Sequence, residues 1–141
     1  MNREVRWHYR FRNFSRAYIL LSEAAERETA ELNQLEREGV IQRFEYTFEL
    51  AWNTLKDRLE YAGIALTEVT PRNVIRQAFA ARLIADAETW TDMLVDRNLM
   101  SHTYDFARFE AVINNIRARY MTVLEDLYLR LGEEILSADD P

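Results

Sequence analysis

The chain has 141 residues, enough for one domain that buries a sizeable core, and no cysteine, which excludes a disulfide framework and a Cys-based zinc site. Eighteen Lys and Arg against 24 Asp and Glu give a net charge of −6, which argues against broad, charge-driven binding to nucleic acid but leaves room for a small basic site. No apolar run approaches the ~20 residues of a membrane span, and Met1–Trp7 lacks a signal peptide's apolar region, so a soluble, cytoplasmic protein without membrane association is expected.

Three glycines and two prolines are too few for a hairpin-rich sheet, and the composition points to long helices. The first helix is predicted from about Arg6 to Arg37. Trp7, Phe11, Phe14, Tyr18, Leu21 and Ala25 step by three and four along one stripe. From Ser22 to Glu38 the sequence is polar, and a turn or fraying is expected there. Arg3, Arg6, Arg10, Arg12 and Arg16 form either a solvated face or a surface for an acidic partner or RNA.

Gly39 marks the expected break before a second helix, about Val40 to Ala62, which Gly63 stops. Its core face is Ile41, Phe44, Phe48, Trp52, Leu55 and Leu59. Glu45, Glu49, Trp52 and Lys56 fall within about 60° of each other at 100° per residue. Glu45, Glu49 and Lys56 are either side-by-side ion pairs or the lining of a cleft. Two carboxylates alone are a poor site for a hard cation. Tyr46, Leu50 and Tyr61 lie on the opposite face as a candidate dimer or partner strip.

Thr70-Pro71 reads as a cap followed by proline at the first helical position. The short helix after it, about Arg72 to Leu83, is expected to bury Val74, Ile75, Ala78 and Phe79. Asp86 caps the next helix, about Ala87 to Met100, with Trp90, Met93, Leu94 and Arg97 on one side. Asp105 caps the last, about Phe106 to Leu136. Its seam of Phe109, Ile113, Ile116, Tyr120, Val123, Leu127 and Leu131 suits a helical bundle. The fold class predicted is all-α, an up-and-down four-helix bundle with one extra short helix. Residues 1–136 form one domain and 137–141 a disordered tail.

The junction Arg97-Asn98-Leu99-Met100-Ser101-His102-Thr103-Tyr104-Asp105 holds one of the two histidines and a dense set of reactive groups. Arg97 and His102 lie ~140° apart on an unbroken helix and converge only if it loosens. Arg97 and Tyr104, seven apart, share a face. Arg clamps phosphate, His moves protons near neutrality, and Tyr donates a hydrogen bond or accepts a transferred group. The spacing alone is weak evidence and fits better with residues that merely cap and tie two helices together. There is no P-loop, GxGxxG or HExxH, and His8 and His102 are not at ligand spacing, so no metal and no cofactor are expected. A nucleotidyltransferase site needs a Gly-Ser turn followed by Asp-x-Asp, for which Asp139-Asp140 is no substitute.

Three ordered segments carry a family resemblance. They are Phe44-Glu45-Tyr46-Thr47-Phe48-Glu49-Leu50-Ala51-Trp52 with Leu55-Lys56 and Leu59-Glu60-Tyr61; Thr70-Pro71-Arg72-Asn73-Val74-Ile75-Arg76-Gln77-Ala78-Phe79; and Trp90 to Leu94 followed by Asp96 to Asp105. Together they resemble the nucleotidyltransferase substrate-binding proteins, a branch of the HEPN superfamily of helical-bundle domains, from about Phe44 to Tyr120. The resemblance implies a four-helix-bundle homodimer in complex with a minimal nucleotidyltransferase encoded beside it. It also implies, for ribonuclease-type relatives, metal-independent RNA cleavage by an Arg-x(4–6)-His motif, which Arg97, Asn98 and His102 match. In a toxin–antitoxin branch the transferase silences the toxin by adding AMP to the tyrosine two residues after the His, and Tyr104 matches that position. Met100 departs from the small polar residue common there. The reading is therefore an accessory, substrate-binding subunit, or alternatively a ribonuclease toxin neutralised at Tyr104. RNA or a nucleotide is a further candidate partner.

Overall fold

The computed structural model describes residues 2–102 and 105–139. It is all-α: the described residues contain six α-helices, one 3-10 turn and one π-helical segment. Helix α1 (Arg3–Ala25) starts at Asn2, whose side chain accepts from the Val5 amide at 2.8 Å. It buries Trp7, Phe11, Phe14, Tyr18 and Leu21 of the stripe read from the sequence, while Ala25 at its end is half-buried.

The break between the first two helices lies earlier than Gly39. Helix α1 ends at Ala25, a 3-10 turn spans Thr29–Glu31, and α2 runs Gln34–Tyr61 straight through Gly39. The reason is a reciprocal cap: the Asn33 side chain accepts from the Glu36 amide at 2.8 Å, and Glu36 accepts from the Asn33 amide at 3.0 Å. That Asn-x-x-Glu pairing starts a helix more strongly than one interior glycine stops it. Buried Leu32 and Thr29 then fold the turn back, and Arg37 donates to both their carbonyls.

Helix α2 buries Val40, Ile41, Phe44, Phe48, Ala51, Leu55 and Leu59, while Trp52 is only half-buried. Leu50, expected on the outer face, packs partly against the core, and Tyr61 lies against Trp7 with ring centroids 6.1 Å apart. Of the proposed outer strip Tyr46 alone stands clear of the described core contacts. Gly63 ends the helix as read, with φ +83°.

Helix α3 (Pro71–Ala80) begins at Thr70, which accepts from the Asn73 amide at 3.2 Å. It buries Val74, Ile75 and Ala78, but Phe79 is 51% exposed rather than buried. The helix is short and lies on α2 and α4, so only one narrow stripe reaches the core. Helix α4 (Ala87–Met100) is capped by Asp86 and buries Trp90, Met93 and Leu94.

The last rod comprises α5 (Phe106–Asn115), a π segment (Ile116–Tyr120) and α6 (Met121–Asp139). Its seam from Phe109 to Leu131 is buried throughout. Steps of three and four do not reveal the π turn. That turn places Arg117, Arg119 and Tyr120 so that Arg117 reaches the Ala25 carbonyl and the other two reach α4. Helix α6 continues to Asp139, past the expected end at Leu136, because Ser137 and Ala138 carry no helix breaker. One continuous cluster, from Trp7 to Leu131, forms the core between α1, α2, α4 and the final rod. Among the described residues no helix is long and apolar enough to cross a membrane.

Candidate functional site at the end of helix α4

Helix α4 ends at Met100, and the chain turns at once: the Ser101 amide donates to the Arg97 carbonyl at 3.2 Å and the His102 amide to Leu99 at 3.1 Å. The second bond spans three residues rather than four, a tighter 3-10-type closure that ends the helix. His102 is exposed. Thr103 and Tyr104 lie outside the described residues. Asp105 resumes the chain as a cap, accepting from the Ala107 amide at 3.0 Å.

Arg97 and α2 meet directly. Arg97 Nη2 donates to Glu49 Oε2 at 2.5 Å, and the Trp52 indole donates to the same oxygen at 3.0 Å. A second guanidinium nitrogen donates to Asn98 Oδ1 at 3.1 Å. The Ser101 hydroxyl approaches Glu45 Oε2 at 3.3 Å. The carboxylates of Glu45 and Glu49 therefore both meet the C-terminal end of α4. Lys56 does not. It contacts Asp57 at 3.4 Å and Glu60 at 3.8 Å, because eleven residues of rise carry it about 16 Å along α2 from Glu45.

Beside the junction lies a cleft of about 330 Å³, lined by Glu38, Gln42, Glu45, Ser101 and the apolar Met100 and Phe109. Its titratable lining is acidic. Among the described residues no group of three or more His, Asp or Glu side chains could hold a metal.

Two features escaped the sequence reading. Asp57 is 1% exposed and pairs with Arg10 at 3.1 Å. No sequence signal marked it: at 100° per residue Asp57 falls with Tyr46, Leu50 and Tyr61, on the face opposite the predicted core stripe. Asp96, next to Arg97, accepts from the Tyr120 hydroxyl at 2.5 Å and from Asn115 at 3.3 Å. One turn earlier Asp92 accepts from Arg119 at 2.7 Å. These bonds fix α4 to the π segment and so set the direction in which Arg97 leaves the helix. Burial first, then the hydrogen bond to Asp96 and its charge, raises the Tyr120 phenol well above the ordinary tyrosine range.

Nearly the whole chain, residues 9–133, fits the model of a known family, "Nucleotidyltransferase substrate binding protein like". The chain belongs to that family. A curated relative from Haemophilus influenzae, described as "Probable ribonuclease HepT", is 32% identical over 81 residues, 55% of this chain. The match spans 56% of that protein's length, a little over half. A crystal structure of a Thermus thermophilus protein has a TM-score of 0.74 at 35% identity, covering 84% of this chain and 98% of that one. The ribonuclease relative accords with the HEPN-superfamily resemblance carried by the three ordered segments.

Proposed function

We propose that the chain is the accessory, substrate-binding subunit of a minimal nucleotidyltransferase and works as a homodimer. The observation that carries this reading is the family match across residues 9–133. The geometry at the junction supports it over free-standing RNA cleavage. The Arg97 guanidinium is held by Glu49, and Glu45 and Glu38 border the adjoining cleft. Those carboxylates repel a phosphodiester and attract a basic protein surface.

A second reading rests on the Arg97-Asn98…His102 motif and the likeness to a probable ribonuclease. In it His102 takes the proton of a ribose 2′-hydroxyl. The 2′-oxygen attacks the neighbouring phosphorus, the P–O5′ bond breaks to leave a 2′,3′-cyclic phosphate and a 5′-oxygen that takes its proton from water, and Arg97 steadies the extra negative charge. This requires Arg97 to leave Glu49. In this reading the transferase silences the activity by moving AMP from ATP to the Tyr104 phenol, with release of pyrophosphate.

The test is co-expression with the neighbouring transferase, followed by affinity capture and light scattering. The complex is expected to survive purification, and the free chain to scatter as twice its 16.8 kDa mass. A transferase that elutes separately at micromolar concentrations refutes the subunit reading. A monomer at every concentration refutes the homodimer.

A further inference from the structure

We propose that the solvent face of helix α3 binds single-stranded nucleic acid, with Arg72, Arg76 and Arg82 on the phosphates and Phe79 stacking on a base. This goes beyond the accessory-subunit reading and does not depend on it. At 100° per residue Arg72, Arg76 and Phe79 fall within a 60° arc, opposite buried Val74, Ile75 and Ala78. All three are exposed, as is Arg82 just past the helix end. Between Glu68 and Asp86 the chain has no acidic residue, so this stretch carries three positive charges in a protein whose net charge is −6. Among the described residues none of the three arginines is in an ion pair, so each guanidinium is available to a ligand.

The backbone supplies an independent observation. Helices α2 and α3 end in the same hydrogen-bonded turn. At α2 the Gly63 amide donates to Glu60 and the Ile64 amide to Leu59, both at 3.0 Å. At α3 the Arg82 amide donates to Phe79 at 3.0 Å and the Leu83 amide to Ala78 at 2.9 Å. The turn needs one residue in the left-handed region, where glycine is the unstrained choice. Gly63 takes it with φ +83°, but at α3 the residue is Arg82, with φ +63°. Arginine is not among the side chains that tolerate this region well. A guanidinium at a position that strains its own backbone fits a use outside the fold.

Nucleic acid suits this face better than an acidic protein does. A protein interface needs a packed apolar centre, and here one phenyl ring stands among three guanidinium groups. Alternating cation and aromatic is the arrangement that follows a single strand, because every base offers a π face and every linkage a phosphate.

The experiment uses the full chain and a labelled oligodeoxythymidine of about 16 nucleotides. The probe has no 2′-hydroxyl, so ribonuclease activity has no bearing on the result. Fluorescence anisotropy is read against salt concentration. Binding is expected at low salt, with log K falling linearly as log salt rises. Replacing both Arg72→Gln and Arg76→Gln should reduce that slope by about 1.4, at ~0.7 per lost phosphate contact. Phe79→Ala should weaken binding roughly tenfold and leave the slope unchanged. Arg82→Gly should reduce the slope by about 0.7 yet raise Tm by roughly 3 °C, a combination that a merely structural arginine would not give. No binding at low salt, or slopes equal to wild type in these variants, overturns the proposal. So does loss of the transferase, without oligonucleotide binding, in the combined Arg72→Gln, Arg76→Gln and Arg82→Gly chain, since the face would then serve an acidic protein.

Discussion

Removing one hydroxyl from Tyr120 tests whether the π segment holds the Arg97 helix in place. The Tyr120 ring is 1% exposed and stacks on Phe44 with centroids 5.6 Å apart. Tyr120→Phe keeps this packing and leaves no cavity, so the loss is confined to the hydrogen bond to Asp96 at 2.5 Å. A buried bond to a charged acceptor contributes about 1.5–3 kcal/mol. Asn115 at 3.3 Å stays as a weaker donor to Asp96, which places the expected loss toward the lower half of that range. For a chain of this length the shift in Tm is about 5–8 °C. The effect also depends on pH. The folded state raises the Tyr120 pKa, so it favours the neutral phenol. That stabilisation is fully present below the unfolded value of about 10 and is lost as pH rises above it. Wild type should therefore lose stability faster than Tyr120→Phe on going from neutral pH into the alkaline range. Tyr18, raised chiefly by burial and by Glu125, leaves a residual slope in both proteins. Thermal unfolding followed by circular dichroism at several pH values measures both effects. A Tm within ~1 °C of wild type at neutral pH, or equal alkaline slopes, would refute the role given to this bond.

Asp57→Ala should cost about 1–3 kcal/mol in chemical denaturation, less than a fully buried pair, because Arg10 and Lys56 remain 40% and 22% exposed and can turn to water. Asp57→Leu should recover much of that loss; if both variants match wild type, the buried pairing carries no stability. For Tyr104, co-expression with an active transferase is expected to raise the intact mass by about one AMP unit, and Tyr104→Phe to abolish the gain. A gain that persists in Tyr104→Phe removes the tyrosine from the proposed modification.

Much of the scaffold could be read from the chain because it follows from local chemistry. The stripes of α1 and α2, the caps at Thr70, Asp86 and Asp105, and the stop at Gly63 all appear where side-chain spacing and cap chemistry put them. The misplaced boundary at Gly39 has the same origin: one glycine outweighed Asn33 and Glu36, whose reciprocal hydrogen bonds are just as local. Phe79 was misplaced for another reason. A stripe of apolar residues says which face is apolar, not how much of it a neighbouring helix will cover.

The site divides in the same way. Its motif residues, and the proximity of Glu45 and Glu49 to one another, were determined by sequence, since positions four apart on a helix share a face. Only the tertiary structure decided that Glu49 meets Arg97, that Glu45 meets Ser101, and that Lys56 turns toward Asp57. It likewise decided that Asp96 and Tyr120, 24 residues apart, hold α4 against the π segment. Periodicity orders side chains around their own axis, over a turn or two. Which axis lies beside which, and at what height, is fixed by how the helices pack around the shared core.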